Sequence, residues 1–295
     1  MSLDVALVTC ARLPDLDPDD RPLAAALAAR GLAVAAVRWD DPSFDWGSTR
    51  LALLRSPWDY YLRFAEFLAW AESTEARTRL VHPLPVLRWN LHKGYLVELA
   101  RRGAPVVPTR LLRSGERLRL APLLAALGWA GAVVKPAVAA DSWETIVIPG
   151  PEAGAGQEHV DRLLPERDLI VQPFLAAVEE EGERCLVFLD GEYSHAVRKN
   201  ALTRGGRWAG LPEGVPVAAA PDELAAARRV LAAAQAALAP AGAPELLYAR
   251  VDLVRDAAGR PLLLELELSE PTLFLADHPD GLARLVAALE RRLGR

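Results

Sequence analysis

The chain has 295 residues, 52% hydrophobic and 25% charged, with a formal net charge of −5 and two cysteines. That length and composition exclude a disordered chain or one stapled by disulfides, and no run reaches the roughly 18 uninterrupted apolar residues of a membrane span. The acidic balance and the lack of a basic tract argue against nucleic acid as a partner.

The N-terminus, MSLDVALVTC, lacks the basic start and long apolar run of a signal peptide, so the cytoplasm is the expected location. Cys10 and Cys185 fall on predicted strands far apart in the chain and are expected to be buried free thiols. Among the 34 basic residues only Lys93, Lys135 and Lys199 are lysines. A chain that uses arginine for surface charge marks its lysines as positions where a compact point charge is wanted, for instance against one phosphate oxygen. Biased codon supply is the competing explanation for any one of them.

Asp4–Thr9 reads as a strand, Asp20–Arg30 as a helix with Pro22 in its first turn and Gly31 after its end, and Leu32–Val37 as the next strand. This is a β-α-β opening of a three-layer α/β domain. The intervening loop, CARLPDLDPDD, carries neither a dinucleotide fingerprint nor a P-loop. Leu51–Arg55 is a third strand, followed by a helix over about 60–76, so Arg55, Trp58, Asp59 and Tyr60 lie at a strand's C-terminal end, where α/β sheets place ligands. Simple packing over the strand end is the alternative for the aromatic residues there.

Leu80–His82 is a short strand. PLPVLRWN reads as a connection to a helix over about 91–102, with Lys93 in its first turn, where a cation invites an anionic partner. Val106 and Val107 read as a short strand, 116–127 as a helix, and Ala132–Lys135 and Thr145–Ile148 as two strands joined by AVAADSWET. That small-residue loop could close over phosphates through its N–H groups, although it lacks glycine and a plain hairpin loop is the alternative. A polar, Gly-rich stretch (149–157), a helix at 159–164 and a strand at Leu169–Gln172 follow. Strands at Cys185–Leu189 and Glu192–Arg198 flank the Asp190-Gly191 turn, 201–215 reads as a loop, and Pro221–Ala239 and about 279–293 read as helices.

Between those last helices lies ELLYARVDLVRDAAGRPLLLELELSEPTLF, read as a hairpin of Tyr248–Arg255 and Arg260–Leu268 around Asp256-Ala257-Ala258-Gly259. A four-residue loop pairs Arg255 with Arg260. Alternation then puts Ala249, Val251, Leu253, Leu262, Leu264, Leu266 and Leu268 on an apolar face, and Arg250, Asp252, Glu265 and Glu267 on the other. Clustered carboxylates repel unless a cation neutralises them or the face is wet. Hard oxygen ligands in this arrangement suit Mg²⁺ shared with substrate phosphates; a solvated outer sheet face is the other reading.

The succession NLHK, VVKP, VQPFL, a hairpin ending RK, and a last hairpin with VD and ELE resembles the ATP-grasp superfamily from about Trp89 onward. The phrases RSPWDYY, NLHKGYLVELARRGAPVVPT, GEYSHAVRK and ELELSEPTLF look closest to its bacterial subgroup of O-ureido-serine cyclases. The resemblance implies a pre-ATP-grasp three-layer α/β domain (1–88) followed by a two-lobed ATP-grasp domain (89–173 and 174–295), α/β and α+β together. It further implies that Lys93 and Lys135 contact ATP phosphates and that the 139–143 loop, with Ser142, covers the triphosphate. Gln172, Phe174 and Leu175 would read the adenine, Glu179 or Glu180 would hold the ribose, and Lys199 would reach the transferred phosphate. Asp252, Glu265 and Glu267 would hold Mg²⁺, with Glu270 close behind in a position that leaves the ligand set open, and Arg250 would clamp the γ-phosphate or an acyl phosphate. Arg55, Trp58, Asp59 and Tyr60 would line the substrate.

The expected activity is therefore an ATP- and Mg²⁺-dependent carboxylate–amine ligase or cyclase acting on a small amino-acid-like substrate, in a family where dimers are common. A ligase modifying a peptide or protein, and a non-catalytic ATP-binding sensor of the same fold, are the alternatives.

Overall fold

The structure is a computed structural model describing residues 2–148, 150, 154–199, 214–242 and 246–295. Its elements, in chain order, open with β1 (Val5–Thr9), α1 (Arg21–Ala29), β2 (Val34–Arg38), β3 (Leu51–Ser56), α2 (Phe64–Glu75) and β4 (Arg79–Val81). These strands form one parallel sheet in the order β2-β1-β3-β4. Alternation along β1 and β3 sends Val5, Leu7, Leu51 and Leu53 against Leu23 and Leu27 of α1, and Ala6, Val8, Ala52 and Leu54 against Phe67 and Ala71 of α2. A sheet buried on both faces needs apolar residues at every position, and β3 is buried along its whole length.

The next stretch departs from the sequence expectation. PLPVLRWN is not a connection but α3 (Leu84–Asn90), with Pro85 in its first turn, where a missing N–H costs nothing. The expected 91–102 helix is the shorter α4 (Tyr95–Arg101), and Lys93 stands in the turn between them. Val106 makes only an isolated bridge to Leu263, while the strand of this region, β5 (Arg110–Leu112), lies further on.

There follow α5 (Leu120–Leu127), β6 (Ala132–Pro136), β7 (Ile146–Ile148), α6 (Gly154–Leu163) and β8 (Leu169–Pro173). Gly128 ends α5 in the left-handed conformation its position demands. The strands β5-β8-β6-β7 make an antiparallel sheet whose core includes Leu120, Leu124, Val134, Val160 and Leu169.

Beyond it come α7 (Ala176–Glu181), β9 (Glu183–Leu189), β10 (Glu192–Lys199), β11 (Gly214–Val217), α8 (Pro221–Leu238), β12 (Tyr248–Arg255), β13 (Pro261–Glu267) and α9 (Pro279–Arg292). The antiparallel sheet runs β11-β10-β9-β12-β13. The short α7 and β11 were not anticipated; most of the expected 201–215 loop, parts of the 149–157 stretch, and Glu245 lie outside the described residues. One face of this sheet packs on α8 and α4 through Val251, Leu253, Leu266, Val230, Ala234, Leu96 and Leu99. The other face joins α9 and the first sheet, since Val187, Leu189, Leu285 and Leu289 share a core with Val5 and Leu51.

The predicted hairpin forms around Gly259, but its register differs. Arg255 faces Pro261, and between Asp252 and Leu253 the pairing shifts by one, so that Asp252 faces Glu265 and Arg250 faces Glu267. This bulge makes Leu264 the extra residue, and Leu263, rather than Leu262 or Leu264, is the one buried there.

Candidate active site

β12 is central in its sheet and β13 is an edge, so the backbone of β13 needs partners beyond the sheet. It finds them in the preceding segments. Leu263 N–H donates to Pro105 O (2.7 Å) and Leu263 O accepts from Val107 N (2.9 Å). Leu266 N–H donates to the Tyr95 hydroxyl (2.9 Å), and Asn90 donates to Leu266 O (2.8 Å) while accepting from Leu268 N (2.8 Å). The edge is thereby closed and Glu265 and Glu267 are fixed in register.

All three lysines converge on the hairpin's carboxylates. Lys93 Nζ lies 2.9 Å and Lys135 Nζ 3.5 Å from the Glu265 carboxylate, and Lys199 Nζ lies 2.9 Å from Asp252 and 2.8 Å from Glu183. Arg250 grips Asp252 with a two-pronged contact, Nε and Nη2 each at 2.9 Å, and also touches Glu267. Its remaining nitrogen donates to Thr272 O at 3.0 Å. The solvated-face reading thus fails: Asp252 is 1% exposed and Arg250 5%.

The electrostatics divide the carboxyls into two kinds. Burial works against ionisation of Asp252, yet Arg250 and Lys199 outweigh it and hold that carboxyl far below its usual range. Burial likewise opposes Lys93 and Lys135 at Glu265, and the lysines prevail, bringing it down to about 2. At Glu267, burial together with Asp252 and Glu265 overrides Arg250 and pushes the carboxyl up to about 7. Glu270 is pushed to about 8 by burial and then by Glu267. Asp252, Glu265 and Glu267 present only hard carboxylate oxygens, a donor set that fits a hard divalent cation.

The loop between β6 and β7 answers the missing glycines in its own way. Asp141, Ser142 and Glu144 all take positive φ, 51°, 54° and 54°. Such backbone is costly for non-glycine residues and is retained where surroundings hold it. Here Arg12 reaches Asp141 (3.4 Å), the Trp143 ring lies 5.1 Å from that of Tyr61 and 4.8 Å from the Arg167 guanidinium over it, and Lys93 Nζ donates to Ala139 O (2.8 Å). The loop is thus tied both to the first sheet's domain and to a site lysine.

Not every expected site residue faces this centre. Gln172 is 2% exposed and its side chain donates to Thr109 Oγ1 at 3.0 Å. Phe174 N donates to Gly131 O, Leu175 caps α7, and Glu179 and Glu180 are exposed on that helix. Arg55 is wholly buried: it donates to Asp20 (2.7 Å) and to Pro271 O (2.7 Å) beneath the Tyr248 ring. Its guanidinium therefore supports the segment after β13 and does not line open space. Trp58 donates to Glu270 O (3.0 Å), Tyr60 lies against the Glu270 carboxyl, and Asp59 accepts from Trp39 (2.7 Å).

The family described as D-cycloserine synthetase DcsG, N-terminal domain, matches residues 5–82. Cycloserine biosynthesis protein DcsG of Streptomyces lavendulae is 38% identical over 303 residues, covering 98% of this chain and 98% of that protein. The chain belongs to the DcsG family. The crystal structure of D-cycloserine synthetase DcsG matches the chain with a TM-score of 0.90 at 37% identity, over 98% of this chain and 99% of that one. D-Alanine–D-alanine ligase from Bacillus anthracis shares the fold at a TM-score of 0.65 and 15% identity, over 100% and 98% of the chains. A RimK-domain ATP-grasp protein from Sphaerobacter thermophilus does so at 0.65 and 19%, over 97% and 98%. This member of the DcsG family thus shares its fold with an ATP-grasp protein and with an ATP-grasp-fold ligase, and its relative of 37% identity is a D-cycloserine synthetase.

Sequence reasoning missed several residues of the site. Glu183 pairs with Lys199, and together with Cys185 and Asp252 its ligand atoms lie within 4.8 Å of one another. Asn90 and Tyr95 brace β13. Asn90 and Glu183 both carried a signal that was not turned into a role: Asn90 precedes Lys93 in NLHK, and Glu183 lies in the phrase EEGERCLVF, which also resembles the family.

Proposed function

We propose that this chain uses ATP and Mg²⁺ to activate a carboxylate as an acyl phosphate and closes or joins a C–N bond on a small amino-acid-like substrate of the kind that leads to D-cycloserine. The observation that carries the reading is the convergence of Lys93, Lys135, Lys199 and Arg250 on one hairpin of carboxylates. Asp252, Glu265 and Glu267 would hold Mg²⁺, which supplies neutralisation of the phosphate oxygens. Lys93 and Lys135, fixed through Glu265 and the Ala139 carbonyl, bind and orient phosphates beneath the 139–143 loop with Ser142. Lys199 and Arg250 stabilise the charge on the phosphoryl group as it passes from ATP to the substrate carboxylate. The substrate nitrogen then attacks the acyl carbon and inorganic phosphate leaves. This is catalysis by positioning and charge neutralisation.

In this reading β8 and its continuation, with Gln172, Phe174 and Leu175, flank the adenine, and Glu179 or Glu180 reaches the ribose. Residues 1–88 form the first domain, and 89–173 and 174–295 the two lobes. A homodimer and a cytoplasmic location belong to the same proposal. Thermal unfolding with ATP and Mg²⁺ tests it. A ligand at 100 times its dissociation constant stabilises the folded state by about 2.7 kcal/mol. A Mg²⁺-dependent shift of that size, lost in Lys135→Ala and Glu265→Gln, supports the assignment, and no shift at saturating ATP refutes it.

A further inference from the structure

Of the site carboxyls, Asp252, Glu265, Glu267 and Glu183 each have a cationic side chain within salt-bridge distance, whereas Glu270 has none among the described residues. Its backbone is nonetheless placed with care. Trp58 Nε1 donates to Glu270 O (3.0 Å), and the next carbonyl, Pro271 O, accepts from the fully buried Arg55 (2.7 Å). Tyr60, 2% exposed, turns toward the Glu270 carboxyl from the end of β3. Glu270 itself is only partly covered. With Glu267 beside it and no cation near, its carboxyl lacks the positive partner that would hold it ionised, while phosphates and any substrate carboxylate are already served by Lys93, Lys135, Lys199 and Arg250. What such a position attracts is a cationic nitrogen.

We infer that Glu270, held by Tyr60, Trp58 and Arg55, is the specificity-determining residue that receives the ammonium group of the substrate. This rests on the amino-acid-like substrate class proposed above. It gives the RSPWDYY segment a role: Tyr60 positions the carboxyl, and Arg55 and Trp58 position its backbone. With Glu270 gripping one end of the substrate and the cationic cluster the other, the reacting carboxylate is held toward the phosphates in a single orientation.

The test is calorimetric titration of the intact protein, with ADP and Mg²⁺ present, by D-cycloserine and D-serine and by their N-acetylated forms. Wild type should bind at least one amine-bearing probe, and acetylation should weaken that probe by about tenfold or more. Glu270→Gln should lose the same factor, Tyr60→Phe a smaller one, and both should bind Mg·ATP as wild type does. If Glu270→Gln keeps its affinity for the amine, or acetylation costs nothing, the inference falls while the proposed activity stands. If Glu270→Gln weakens Mg·ATP tenfold, Glu270 is a metal ligand and the inference is overturned. If no amine-bearing probe binds wild type that binds Mg·ATP, the substrate class and the inference fall together.

Discussion

Asn90 is where the fold meets the site, and replacing it by alanine isolates that link. Its side chain is 7% exposed, donates to Leu266 O at 2.8 Å, accepts from Leu268 N at 2.8 Å, and lies 3.2 Å from the Ser269 hydroxyl. Alanine leaves one carbonyl and one N–H of an edge strand buried and unpaired, at about 1–3 kcal/mol each. The expected loss is about 2–6 kcal/mol, a large part of the roughly 5–15 kcal/mol that holds most domains together. Those two backbone groups bracket Glu267, so the carboxylate loses its fixed register as well. Urea unfolding should show the lower stability, and the KM for ATP should rise several-fold while far-ultraviolet circular dichroism stays native. A loss below about 1 kcal/mol with an unchanged KM would refute the argument that Asn90 fixes the carboxylate-bearing edge.

The buried Arg55–Asp20 pair makes a second case: Arg55→Leu should cost about 3–5 kcal/mol by leaving Asp20 alone, and adding Asp20→Leu should recover much of it, as a double-mutant cycle would show. His82 sets a pH dependence. Its Nε2 accepts from Leu247 N (2.8 Å) and its Nδ1 meets Leu268 O, so the neutral ring is the one that fits, and burial lowers its pKa from 6.5 to about 4. Below about 6.5 the unfolded chain takes up a proton that the folded one refuses, so stability is complete above that pH and falls by up to about 3 kcal/mol as pH drops to 4; the slope should shrink in His82→Gln. Gly182, with φ 76° and ψ −170°, lies in a region essentially closed to other residues, and an added Cβ would stand 2.2 Å from Lys199 O. Gly182→Ala should therefore destabilise the protein in thermal unfolding and displace Lys199, raising the KM for ATP.

Much of this was legible in the residues. The alternation YARVDLVR and PLLLELE located the hairpin and its charged face, and the scarcity of lysine singled out three residues that all reach its carboxylates. The register was not legible, because the bulge at Leu264 is settled by partners outside the hairpin: Pro105 and Val107 take both backbone groups of Leu263. The helix α3 was hidden by Pro83 and Pro85, which read as breakers until one sees that Pro85 occupies the first turn. Arg55 was misplaced for a different reason. Position at a strand end says where a side chain begins, and only the fold reveals that Asp20 waits beside it and Pro271 above it.

The two kinds of cation at the site differ in a way that follows from their geometry. Arg250 needs its planar fork, since it satisfies both oxygens of Asp252 and still has a nitrogen for Thr272 O and a contact with Glu267. Lys93, Lys135 and Lys199 hold their carboxylates through single atoms, contacts that can be exchanged without breaking a bidentate pair. In the absence of nucleotide the carboxylates neutralise the lysines, so four cations are kept close together without mutual repulsion dominating. On the proposed function, phosphates and a divalent cation would let each lysine turn to a phosphate oxygen and the carboxylates to the metal. Arginine at these three positions would oppose that exchange by holding on with two bonds. Lys93→Arg or Lys135→Arg, charge-preserving on paper, should therefore weaken ATP binding and leave stability nearly unchanged, in contrast to Arg250→Lys, which should lower both.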